Sequence, residues 1–118
     1  MKVKESTLTL INYVMILLLL VTLALHIAMQ GILGVSGYTD ALSYDTALAR
    51  YKDALSVSLL AILLVAATYH GLWGLRTILL EMKSGPRWNT AVTAVVLGLG
   101  IVMLGWGMRT IAVAFGGL

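Results

Sequence analysis

Two histidines, an arginine and a carboxylate lie in stretches of this chain that are otherwise apolar enough to sit in hydrocarbon. His70, Gly74, Thr77 and Glu81 recur at i, i+4, i+7 and i+11, the spacing of one stripe along a helix. Arg76 belongs to the same segment, and His26 lies in an earlier one. A titratable side chain at the centre of a membrane helix costs at least ~2.5 kcal/mol, so each must be met by a partner, a cofactor or the membrane surface. There is no cysteine, which excludes disulfides, thiolate-held clusters and Cys-ligated zinc. Any metal must therefore be held by other atoms, and the two imidazoles are the candidates.

The elements that position these residues follow from composition. Apolar residues make up 60% of the chain, charged residues 11%, and the mean hydropathy is +0.98, far outside the range of water-soluble domains. Three stretches, 7–34, 54–82 and 89–114, exceed the ~20 residues that a ~30 Å hydrocarbon core requires. The expected fold is an all-α membrane protein, one domain over 1–118 with three transmembrane helices. So few helices have little interior of their own, so helices of a partner subunit are expected to complete the packing.

The first span is too long for a cleaved secretory signal and lacks a small-residue cleavage pattern, which predicts a multi-pass protein of the cytoplasmic membrane. Lys2 and Lys4 precede helix 1, and Lys83 and Arg87 lie between helices 2 and 3, so the positive-inside rule puts the amino terminus in the cytoplasm. The opposite connection, 35–53, mixes Asp40, Asp45 and Asp53 with Arg50 and Lys52, and its apolar spacing allows a short interfacial helix. The net charge of +3 is dispersed, with no basic stripe for nucleic acid. Trp88, Trp106 and Tyr38 read as interfacial belt residues. Gly31, Gly34 and Gly37 are expected to close the first span, Ser84-Gly85-Pro86 to end the second, and Asn89 or Thr90 to cap the third. Ala94, Gly98, Gly100, Gly105 and Gly107 predict close packing by helix 3.

Placed on these helices, the His70 stripe is suited to haem ligation. That chemistry needs a neutral imidazole nitrogen on iron, room for a flat ring and a base near each propionate. Gly74 leaves room one turn from His70, and Arg76, ~9 Å further along the helix, is the candidate base. Span midpoints put His26 and His70 at depths differing by ~10 Å, awkward for a shared iron. Each histidine more naturally pairs with one from another chain.

The pattern His-x-x-x-Gly-Leu-Arg-x-x-x-x-Glu, formed by His70, Gly74, Leu75, Arg76 and Glu81, resembles the second transmembrane helix of the membrane-anchor subunits of succinate dehydrogenase and fumarate reductase (respiratory complex II). The resemblance extends to three spans, a cytoplasmic amino terminus and a short basic loop between helices 2 and 3. It implies that His70 is an axial ligand of haem b, that Arg76 lies toward the propionates, and that Arg76, Glu81 and Trp88 border the quinone site. The larger anchor subunit carries a His-Arg-x-Ser/Thr-Gly sequence that is missing here, so the chain is more similar to the smaller anchor. Two-haem members also use a helix 1 histidine, and His26 suits the outer haem of that arrangement.

The implied role is that of a non-catalytic subunit in electron transfer. It would hold the flavoprotein and iron-sulfur subunits to the membrane lipid, pack on a second anchor subunit and help build the quinone site. The resemblance spans both succinate oxidation and fumarate reduction. The alternatives are a small membrane transporter and a haem-free accessory subunit of another respiratory complex. Small multidrug transporters have four spans with a glutamate inside the first, whereas the 7–34 span has no carboxylate.

Overall fold

The structure is a computed structural model that describes residues 4–31 and 38–116. It is all-helical, with α1 Glu5–Gly31, α2 Tyr38–Ala41, α3 Tyr44–Lys52, α4 Ala54–Met82 and α5 Pro86–Gly116. Helices α1, α4 and α5 are long and apolar enough to cross a membrane, and they correspond to the three expected spans. The connection between spans 1 and 2 is helical, as α2 and α3. Gly34 and Gly37 lie outside the described residues.

Local chemistry sets the boundaries. Asp53 ends α3 and caps α4, where its Oδ2 accepts from the Ser56 amide at 2.8 Å. Gly85 takes φ +131°, a conformation that L side chains rarely adopt, and Pro86 then opens α5 with the φ that proline already favours. The third span thus starts three residues earlier than the expected 89. Asn89 already donates its amide to Gly85 O, and Thr90 Oγ1 donates to Pro86 O, so neither caps the helix from outside. Trp88 fastens the turn: its Nε1 donates to Leu79 O at 2.8 Å, and Lys83 Nζ lies 5.7 Å from its ring centroid.

Helix α4 is the centre of the molecule, with α1 and α5 packed on it but not on each other, and with α3 against α4 and α5. The arrangement is turned inside out relative to a water-soluble bundle. The buried residues are Ala66, Val92 and Val96 together with the polar Asn12, Thr22, Ser56 and Thr68, whereas Leu10, Leu17, Leu20, Leu97 and Ile101 face outward. Lipid is as apolar as leucine, so helix association rests on small residues and hydrogen bonds rather than on sequestering leucine.

Candidate functional site

Three polar links join α1 to α4 near the end of the molecule that holds the start of α1 and the α4–α5 turn. Arg76 grips Glu5 with two nitrogens, at 3.0 and 3.3 Å. Tyr69 Oη donates to Leu8 O at 3.0 Å. His70 Nδ1 lies 3.2 Å from Asn12 Oδ1. Glu5, Leu8 and Asn12 are spaced three and four residues apart, so one stripe of α1 presents all three groups.

His70 is half-buried in this seam. An amide oxygen can only accept, so the pairing of Nδ1 with Asn12 Oδ1 is a hydrogen bond in the tautomer that carries its proton on Nδ1, with the lone pair on Nε2. Nε2 has no hydrogen-bond partner among the described residues. Gly71 and Gly74 follow it on the helix, and a Cβ built on either would meet nothing within 4 Å. The surface beside His70 is therefore flattened by two missing side chains. The predicted stripe of His70, Gly74, Thr77 and Glu81 lies on this side of α4, with Thr77 and Glu81 exposed. A half-buried imidazole with one nitrogen engaged by Asn12, on a helix stripe that also carries Gly74, fits a haem-ligating residue.

Arg76 is on a different face. It lies six residues from His70, about 120° around the helix at 3.6 residues per turn. Its Nε donates to Thr93 Oγ1 at 3.3 Å and its guanidinium sits 5.7 Å from the Trp73 ring, so one side chain ties α4 to both α1 and α5. It closes one end of an apolar groove of about 320 Å³ that opens between α1 and α5, lined by Leu8, Tyr69, Leu72, Trp73 and Leu97 among others. Tyr69 and Trp73 stack along it, with centroids 6.4 Å apart. The structure does not bring Arg76 and His70 onto one surface.

The remaining candidates are dispersed. Trp88 spends its indole N–H on the α4–α5 turn, and Glu81 is exposed at the end of α4. His26 lines a small cavity of about 20 Å³ with Met29, Arg50, Ser56, Leu59 and Leu60. Pockets that hold cofactors run to ~300–1,000 Å³. Because Asn12 is level with His70 and Ser56 with His26, fourteen α1 residues separate the two histidines, about 21 Å at ~1.5 Å per residue. That is twice the separation expected from span midpoints, since α1 starts at Glu5 and the polar links set its register. The two imidazoles cannot share one iron.

Sequence reasoning missed Asn12, Glu5, Tyr69 and Thr93. Asn12 left a signal: it is an amide among mostly apolar neighbours in the first half of α1, and a polar group in a span asks for a partner. Glu5 fell outside the expected first span, so α1 does open on a carboxylate. Comparison with protein-family models, with curated proteins and with solved structures finds no match.

Proposed function

We propose that this chain is a haem b-binding membrane anchor of a succinate:quinone oxidoreductase, of the smaller-anchor type. The observation that carries the reading is His70, with Nδ1 against Asn12 and no hydrogen-bond partner for Nε2 among the described residues, on the helix that leaves open space at Gly71 and Gly74. A bound haem would supply a one-electron carrier within the membrane. The chain's own part is to hold a ligating nitrogen in place, keep α4 flat beside it and exclude bulky side chains. A second anchor subunit packing on that face would contribute the other axial ligand. A propionate base would also come from the partner, since Arg76 is engaged elsewhere by Glu5 and Thr93.

The quinone part of the proposal moves to the groove between α1 and α5. Its apolar walls suit an isoprenoid tail, and Arg76, Tyr69 and Trp73 gather polar and aromatic groups at one end. That end carries the amino terminus and the α4–α5 turn, which the basic residues assign to the cytoplasm and thus to the iron-sulfur and flavoprotein subunits. A second haem at His26 requires α3 to move, because the cavity there holds only about 20 Å³.

The test is purification of the intact complex followed by a reduced-minus-oxidised spectrum and a haem-to-flavin ratio. The expected result is co-purification with a flavoprotein and a low-spin bis-histidine haem that His70→Ala removes while the chain still inserts. A ratio near one, unchanged by His26→Ala, would make His26 a packing residue. A preparation without haem would return the chain to the class of accessory subunits, a reading favoured by the internal completeness of the Glu5, Arg76 and Thr93 cluster.

A further inference from the structure

The hydrogen bond from α1 to His70 does more than join two helices. Asn12 is only 8% exposed, whereas its α1 neighbours Leu10, Tyr13 and Val14 face outward, so the amide is the polar group that α1 turns into the seam at this level. Its position leaves little freedom. Tyr69 holds Leu8 one turn away and Arg76 holds Glu5 two turns away, which fixes both the rotation and the height of α1 against α4. A neutral imidazole has one protonated and one bare nitrogen, and which is which follows from the bond that the other nitrogen makes. Nδ1 lies 3.2 Å from Asn12 Oδ1, an oxygen that can only accept, and this contact favours the proton on Nδ1.

From this geometry we infer that Asn12 is a positioning residue that holds His70 in the Nδ1–H tautomer, leaving Nε2 as the nitrogen free to ligate a metal. The inference rests on the haem reading for the identity of the metal group, and on the seam alone for the tautomer. Asn12 then acts on the ligand in two ways. It stops the ring from rotating, and by accepting from Nδ1 it makes Nε2 a more basic donor. Loss of such an outer partner typically weakens metal binding ~10–100-fold.

Two measurements separate this role from plain helix packing. The first uses the haem-free full-length chain, labelled with ¹⁵N-histidine, with His26→Gln to assign the two rings. The wild-type His70 is expected as the Nδ1–H tautomer, and Asn12→Leu is expected to shift it toward Nε2–H. A wild-type His70 protonated at Nε2 overturns the inference, since the Asn12 amide would then be donating. The second uses the assembled complex. Asn12→Leu is expected to raise the haem midpoint potential and to reduce haem retention on the order of tenfold. Asn12→Asp, which keeps an acceptor oxygen, is expected to restore haem and lower the potential below wild type. Unchanged potentials in both variants overturn the inference even when haem is present. If Asn12→Leu fails to insert, the Asn12→Asp potential and the wild-type tautomer carry the decision. A wild-type complex without haem overturns the haem reading alone, because the tautomer measurement does not use haem.

Discussion

Along α1, helix α4 is met by side chains that hydrogen-bond: Glu5 to Arg76, the Leu8 carbonyl to Tyr69 and Asn12 to His70. Along α5, beyond the bonds of Thr93 and Trp88 near its start, it is met by backbone brought close. A Cβ at Gly100 would stand 3.0 Å from Leu72 Cδ1, and one at Gly107 only 2.6 Å from Leu64 Cδ2. Both solutions answer the same difficulty, which is that lipid offers no hydrophobic reason for helices to associate. They differ in consequence. The glycine seam spends its residues on contact alone, whereas the polar seam leaves groups with directional chemistry at the helix boundary, and the candidate site lies there.

Steric substitution on the glycine seam should have the largest effect. Gly107→Leu is expected to destabilise the α4–α5 pair by ~1–3 kcal/mol through overpacking, and Leu64→Ala should recover much of the loss. Gly98 has nothing within 4 Å of its Cβ position, so Gly98→Leu in the isolated chain should be close to neutral in the same unfolding titration. Equal costs at the two positions would break the division between packed and open glycines.

The polar seam should yield in smaller steps. Tyr69→Phe removes the bond to Leu8 O, and the expected loss is ~0.6 kcal/mol, with ~1.7 kcal/mol as the upper end for bonds of this kind. For Arg76 and Glu5, a double-mutant cycle built from Arg76→Gln and Glu5→Gln should give a coupling of ~0.2–1 kcal/mol that shrinks as salt rises. The magnitude is that of an exposed pair, because the Glu5 side chain is 66% exposed although that of Arg76 is only 11% exposed. A coupling that ignores salt would mean that the pair is shielded more deeply than the structure shows.

The smallest effect belongs to the cap shared by α3 and α4. Hydrogen bonds from Ser56 hold the Asp53 carboxyl below its ordinary value of 3.8. The stabilisation is therefore present above that value and is lost as pH falls through the lower folded-state value. Amide exchange at Ser56 should accelerate on acidification in wild type and stay flat with pH in Asp53→Asn, after correction for the intrinsic rate.

Much of the fold was legible in the sequence because a ~30 Å apolar slab imposes a length and a composition on each crossing. The second span, 54–82, coincides with α4, and Gly85-Pro86 marks the turn that follows. Gly100 and Gly107 were recognisable as packing residues, but not which of the helix 3 glycines would face α4, since Gly98 and Gly105 look the same in one dimension. His70 and its stripe with Gly74, Thr77 and Glu81 were readable because helical periodicity is local.

Arg76 and Trp88 show where that locality ends. Both are near His70 or Glu81 in sequence, yet Arg76 turns about 120° away to Glu5 and Thr93, and Trp88 folds back on Leu79. Sequence alone determined the all-helical class, the three stretches long and apolar enough to cross a membrane and the stripe that His70 shares with Gly74, because these depend on hydrophobicity and on a 3.6-residue repeat. Only the tertiary structure decided that Asn12 meets His70, that Arg76 is engaged by Glu5 and Thr93, and that His26 lies about 21 Å away. Those facts depend on the rotation and height of α1 against α4, which are set by bonds between residues some sixty to seventy positions apart and leave no periodic trace in the chain.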